Sequence, residues 1–319
     1  MISAAGSAVD EHTLRGGATS KRMLGSRAAF VASIVALAVY YLASSLVHVV
    51  FNVDSHSGAG ELSGDTKGDS FAPPSFIILG AQKAGTTYAM QTLNKHPEIF
   101  VWDEPHFIDN FWRRGPEWYK RQLATSSRKP LRGEKTPELI YLDKCAERVK
   151  QVAPDGKFIL FLRDPVHRAY SAWSMNTRHG LENSSFASAI RRNLESLGER
   201  RTNRAATTHY VQRGFYMDQI ERWLKVFPDR SRLLIVIAER LRAEPVREFG
   251  RIFAHLGASN NKSFVDAAPA NYSKSPPPPP TGMKASVENE LRDLYESHNQ
   301  RLYSFLGFRI AEWETPRRA

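Results

Sequence analysis

The sequence predicts an α/β fold: a P-loop-like central parallel sheet flanked by helices, built as a single domain. Three observations predict it. The apolar run Phe76-Ile77-Ile78-Leu79 enters a short loop holding Gly80 and Gly85, and a helix-compatible stretch follows. Further short apolar runs, Phe158–Leu162 and Leu233–Ile237, alternate with longer amphipathic pieces, the pattern of a parallel sheet covered by helices. The 319 residues, 42% hydrophobic and 24% charged, have globular composition and ample length for one large domain.

Taken in order, residues 1–27 read as a cytosolic tail. Residues 28–51, AAFVASIVALAVYYLASSLVHVVF, contain no Asp, Glu, Lys or Arg. At ~1.5 Å per residue they extend roughly 36 Å, enough for a bilayer core of ~30 Å. Arg15, Lys21, Arg22 and Arg27 precede this run, and Asp54, Glu61, Asp65 and Asp69 follow it. The basic side stays cytosolic, so the run is expected to be a signal-anchor with the C-terminal bulk in the lumen. Residues 52–74, rich in Gly, Ser and Asp and closed by Pro73-Pro74, read as a flexible stem. The folded domain is expected over 75–319. Three N-x-[ST] sequons, at Asn183, Asn261 and Asn271, fit a luminal placement.

Within the domain, Tyr216, Ile220, Trp223 and Leu224 mark one face of a helix over about 216–227. Val287, Leu291, Leu294, Leu302 and Phe305 mark another over about 286–306. Ser275–Pro280, SPPPPP, reads as a stiff polyproline II connector. Cys145 is the only cysteine, so no disulfide forms within the chain, and it reads as a packed thiol. No Cys/His spacing points to a metal, and none is expected. The formal charge of +11 favours anionic partners without choosing among them.

The loop after the first strand carries the chemistry. Its glycines let backbone N–H groups close around an anion, and the helix N-terminus adds partial positive charge. Thr86 stands where a nucleotide kinase or ATPase needs lysine, and the only loop lysine is Lys83. That placement suits a 5′-phosphate and whatever leaves from it. A second anchor follows the run KFILFL. Arg163 closes a strand, Asp164 is a good N-cap, Pro165 takes the first helical position, and Ser171 follows eight residues after Arg163. Arg163 offers a planar fork and Ser171 a hydroxyl to a second phosphate.

Together GAQKAGTT and LRDPVHRAYSAW resemble the 5′-phosphosulfate loop and the 3′-phosphate motif of sulfotransferases that use 3′-phosphoadenosine 5′-phosphosulfate (PAPS). The resemblance places Lys83, Ala84, Gly85, Thr86 and Thr87 on the 5′ side and Arg163 and Ser171 on the 3′-phosphate. VWDEPHFIDNFW resembles the heparan sulfate glucosaminyl N- and 3-O-sulfotransferases, which implies Glu104 as base with His106 beside it. Asp103 departs from the lysine frequent there. GEKTPELIYL resembles another family segment and implies Lys135 at the acceptor or the transferring group. The family's clasped loop over the 3′-phosphate is replaced by SPPPPPTGMK, where Lys274 or Lys284 would substitute.

The resemblance implies a PAPS-dependent enzyme of the Golgi membrane. It would sulfate a hydroxyl or amine of a glycan acceptor, an acidic polysaccharide in the first instance, with no nucleic-acid partner. Two rivals stay open: a kinase built on the same strand–loop–helix, and a catalytically silent polyanion-binding membrane protein.

Overall fold

The computed structural model describes residues 71–198, 207–263, 265 and 283–314. The expected membrane span, most of the stem, Asn271, Lys274 and the proline run lie outside the described residues. Among the described residues, no helix is long and apolar enough to cross a membrane.

Five parallel strands form one sheet in the order β2-β3-β1-β4-β5. They are β1 (Phe76–Gly80), β2 (Ile99–Asp103), β3 (Leu131–Lys135), β4 (Lys157–Leu162) and β5 (Leu233–Ile237). The three apolar runs are β1, β4 and β5. Every residue of β1 is buried, because a central parallel strand covered on both faces is apolar on both.

β2 and β3 are strands the hydropathy pattern did not predict. In β2, Ile99 and Val101 are buried while Phe100 and Trp102 are half-buried, a five-residue edge strand too short to stand out. β3 reads LRGEK, with no apolar alternation at all. Gly133 lies so close to β1 that a Cβ would sit 2.4 Å from the Phe76 carbonyl oxygen. The two residues after it, Glu134 and Lys135, are buried polar groups.

The helices are α1 (Thr86–Lys95), α2 (Pro116–Ser126), α3 (Cys145–Val152), α4 (Pro165–Arg178), α5 (Phe186–Glu195), α6 (Tyr216–Val226), α7 (Ala238–Ala243), α8 (Pro245–Leu256) and α9 (Ala285–Leu306). α6 and α9 fall within a residue of their expected bounds. The cap of α4 is as expected: Asp164 Oδ1 accepts from the N–H groups of Val166 and His167 at 2.8 and 3.0 Å, and Pro165 opens the helix.

α6 buries Tyr216, Ile220 and Trp223 and packs on α3 and α9. Trp223 and Phe227 meet the Phe158 ring of β4 at 5.0 and 4.6 Å. Full burial of such side chains contributes about 1.5–3 kcal/mol each, so this aromatic cluster ties the helical layer to the sheet. Cys145 is buried at the head of α3, and burial raises its thiol pKa, as suits a packed group.

The chain leaves β1 for the edge strand β2, returns to β3 beside β1, and then crosses to β4 on the other side. Strand order thus reverses around β1. In such a sheet that reversal sets a crevice outside the carboxyl ends of the strands, here β3, β1 and β4, the usual ligand position.

Candidate active site

Gly80 ends β1 with φ 131°, and a Cβ there would lie 2.4 Å from the Pro137 carbonyl oxygen. Only glycine lets the loop after β1 and the loop after β3 touch. Lys83 then adopts φ 72° and Gly85 φ 90°. Gly85 is the N-cap of α1, contributes no side-chain cap, and no acid stands in the first turn. The N-terminal N–H groups of α1 are therefore left without a side-chain cap or a first-turn acid, the arrangement of an anion-binding helix terminus. Ala84 and Thr86 are buried, Lys83 is half-buried and Thr87 is exposed.

Arg163 stands just beyond β4. Its Nη1 donates to the Lys83 carbonyl at 3.1 Å, and its own carbonyl accepts from Tyr216 Oη at 2.7 Å. The two phosphate anchors read from separate stretches thus meet directly. Ser171 is half-buried two turns into α4. One turn further, Met175 Sδ accepts from Lys83 Nζ at 3.6 Å. Burial lowers the Lys83 pKa, and the charges of Arg178, Arg163 and Arg168 lower it further. Positive charge gathered in this way favours an anion beside Lys83.

The other half of the crevice comes from β2 and β3. Their register sets Asp103 opposite Lys135, and the Glu104 N–H donates to the Lys135 carbonyl at 2.8 Å. Lys135 is 1% exposed, and its Nζ lies 2.7 Å from both Asp103 Oδ1 and Glu104 Oε1. Asp103, the departure noted in the sequence, is therefore a partner of this lysine. His106 Nε2 lies 3.6 Å from Glu104 Oε2, and its Nδ1 lies 2.9 Å from Asp109 Oδ2. Glu104 and His106 adopt φ 41° and 48°. With Lys83 they are the non-glycine residues of positive φ among those described, and such outliers concentrate where function over-determines the backbone.

Charge in this half is compensated. Burial alone would raise the Glu104 pKa, but hydrogen bonds from His106 and Lys135 outweigh it and bring it down to about 2. Burial works against a charged His106, yet its bonds to Asp109 and Glu104 raise it to about 10. Lys135 keeps its charge for the same reason, bonds to Asp103 and Glu104 overriding its burial. Glu134, fully buried behind them, is raised to about 8 by burial and by the charge of Asp109.

The structure thus brings Lys83, Arg163, Ser171 and the α1 N-terminus to one side, and Glu104, His106 and Lys135 to the other. Lys284 is exposed at the N-cap of α9 and stands outside these contacts. The sequence reading missed Asp109, although its i+3 spacing from His106 was the available signal. It also missed Arg178 and the buried Arg168, which look like ordinary helix-surface residues in the sequence. Among the described residues, no His/Cys/Asp/Glu group is placed to hold a metal ion.

Residues 73–275 match the sulfotransferase domain family. The chain is 30% identical over 254 residues to heparan sulfate glucosamine 3-O-sulfotransferase 3B1 of Mus musculus, covering 73% of this chain and 63% of that protein. It is 28% identical over 253 residues to heparan sulfate glucosamine 3-O-sulfotransferase 6 of Homo sapiens, covering 73% and 72%. Among solved structures, a sulfotransferase from Alicyclobacillus acidocaldarius aligns with TM-score 0.62 and 25% identity, over 76% of this chain and 100% of that one.

Proposed function

This chain belongs to the sulfotransferase domain family, and from that we propose that it transfers the sulfuryl group of PAPS to a hydroxyl or amine of a glycan, with a heparan-like acidic polysaccharide as the first candidate. One observation carries the reading. Arg163, just beyond β4, donates to the Lys83 carbonyl at 3.1 Å, which joins the loop after β1 and the motif after β4, read from separate stretches, in one place. The kinase alternative is not favoured, since Thr86 opens α1 where that chemistry needs a lysine.

The residues fit the donor. The glycine-bent loop, the uncapped α1 N-terminus and the crowded cations suit a 5′-phosphosulfate, with Arg163 and Ser171 for the 3′-phosphate. Bound there, the donor supplies an activated sulfuryl group. An acceptor oxygen or nitrogen forms its bond to sulfur as the bond from sulfur to the 5′-phosphate oxygen breaks. Lys83 neutralises the charge that grows on that leaving oxygen.

Glu104 takes the acceptor's proton. At its resting pKa it is a weak base, so the proton moves late, once the forming bond has made the acceptor acidic. Lys135 strengthens the base by shifting from Glu104 toward the incoming sulfuryl oxygens. Asp109 orients His106, which steadies Glu104.

Incubation of the full chain with labelled PAPS and a panel of desulfated glycans, followed by disaccharide mapping, tests this reading. Label in one sugar position supports it; label in none overturns it. The chain spans 63% of the length of the mouse relative. Its acceptor is therefore part of the proposal, as is anchorage of residues 28–51 in the Golgi membrane with a luminal domain. The sequons at Asn183 and Asn261 are exposed, as glycosylation requires. Resistance of residues 75–319 to protease in sealed Golgi vesicles would support that topology, and cleavage would refute it.

A further inference from the structure

Lys135 is 1% exposed, whereas the two carboxylates that its Nζ meets at 2.7 Å, Asp103 and Glu104, are 55% and 41% exposed. A buried ammonium thus reaches out to two acids in contact with solvent. The backbone builds this pairing. The β2–β3 register sets Asp103 opposite Lys135, and the bond from the Glu104 N–H to the Lys135 carbonyl holds the next residue against the same strand end. An ammonium has three N–H donors. Among the described residues two of them meet carboxylates, Asp103 Oδ1 and Glu104 Oε1.

The reaction asks different things of the two acids. Glu104, as base, becomes a neutral carboxylic acid when it takes the acceptor's proton. A buried cation that loses its counter-charge is costly. Proton transfer to Glu104 would therefore strand Lys135 unless a second carboxylate stayed beside it, and Asp103 is that carboxylate. The other cation on Glu104 is backed in the same way. His106 Nε2 lies 3.6 Å from Glu104 Oε2, while its Nδ1 keeps Asp109 at 2.9 Å. Each cation flanking the base has an acid of its own.

We propose that Asp103 is a positioning residue for the transfer: it keeps Lys135 in place and charge-compensated while Glu104 is protonated and Lys135 turns toward the sulfuryl oxygens. The bond from the acceptor to sulfur forms, the bond from sulfur to the 5′-phosphate oxygen breaks, and the acceptor's proton ends on Glu104. Asp103 and Lys135 keep their charges throughout. This role rests on the sulfotransferase reading above.

The test is steady-state transfer from labelled PAPS to desulfated heparan by the full chain, with calorimetry of 3′,5′-adenosine bisphosphate beside it. Asp103→Asn, nearly the same in shape, is expected to lower kcat roughly tenfold, the worth of a charge-assisted contact. The acceptor KM and the bisphosphate affinity should change less than about twofold. Asp103→Glu, which keeps the carboxylate, should recover most of the loss. In a Glu104→Gln background no proton reaches residue 104, and there Asp103→Asn should cost less than about twofold. Full kcat in Asp103→Asn overturns the role, as does an equal loss in both backgrounds, a loss carried in the acceptor KM, or a weakened bisphosphate. A wild type that binds bisphosphate but moves no label takes this role down together with the acceptor reading beneath it. A wild type that binds no bisphosphate removes the donor reading as well.

Discussion

The two halves of the crevice handle charge in opposite ways. On the β1–β4 side, burial and the charges of Arg178, Arg163 and Arg168 act on Lys83, and its pKa falls. On the β2–β3 side, Lys135 holds Asp103 and Glu104, His106 shares Glu104 and adds Asp109, and the His106 pKa rises. In the first half, positive charge gathers around Lys83 and lowers its pKa. The second is already satisfied and must be partly dismantled to react. On the proposed function, the difference would separate binding from chemistry: gathered positive charge would hold the donor, and loosening a compensated network would activate the acceptor.

Substitutions should break the two halves differently. Glu104→Gln should have the largest effect, lowering turnover by ~10²–10⁴ with bisphosphate affinity unchanged. Steady-state kinetics beside calorimetry would separate these, and full turnover in this variant would return the base role to His106. Lys83→Ala should lower turnover by about 10²–10³ through loss of charge stabilisation at the leaving oxygen. Arg163→Ala should weaken the bisphosphate by roughly 10–100-fold, the worth of a charge-assisted contact, with turnover at saturating donor largely kept. Arg163→Ala variants that lose turnover but keep affinity would erase the distinction between the halves.

The smallest effect concerns stability and pH. The folded His106 pKa is raised from 6.5 to about 10. Its contribution is therefore fully present below about pH 6.5 and is lost as pH rises through about 10. The gap in Tm between wild type and His106→Gln should be widest near pH 6 and close toward pH 10. A gap that widens with pH would mean that His106 is neutral in the fold.

The same division governs what the sequence disclosed. β1, β4 and β5 were legible because central parallel strands must be apolar, and the loop after β1 and the cap of α4 carry residue types their geometry demands. β2 and β3 were not. β3 ends in Glu134 and Lys135, polar residues buried for the site, with Gly133 forced by the Phe76 backbone. Local chemistry there overrides the hydrophobic pattern by which strands are found. Glu104, His106 and Lys135 came from resemblance alone, because nothing in their spacing shows that a strand register will bring them together. Asp109 had a spacing signal. Arg178 had none, since its meaning depends on which face of α4 meets Lys83.

The most direct measurement is calorimetry of 3′,5′-adenosine bisphosphate on the full chain, with a chelator present, set against ATP with Mg²⁺. If the cation-rich half is a donor cradle, the bisphosphate binds without any divalent ion, and ATP–Mg²⁺ gives little or no heat. Binding only of the magnesium triphosphate, or of neither nucleotide, would contradict it.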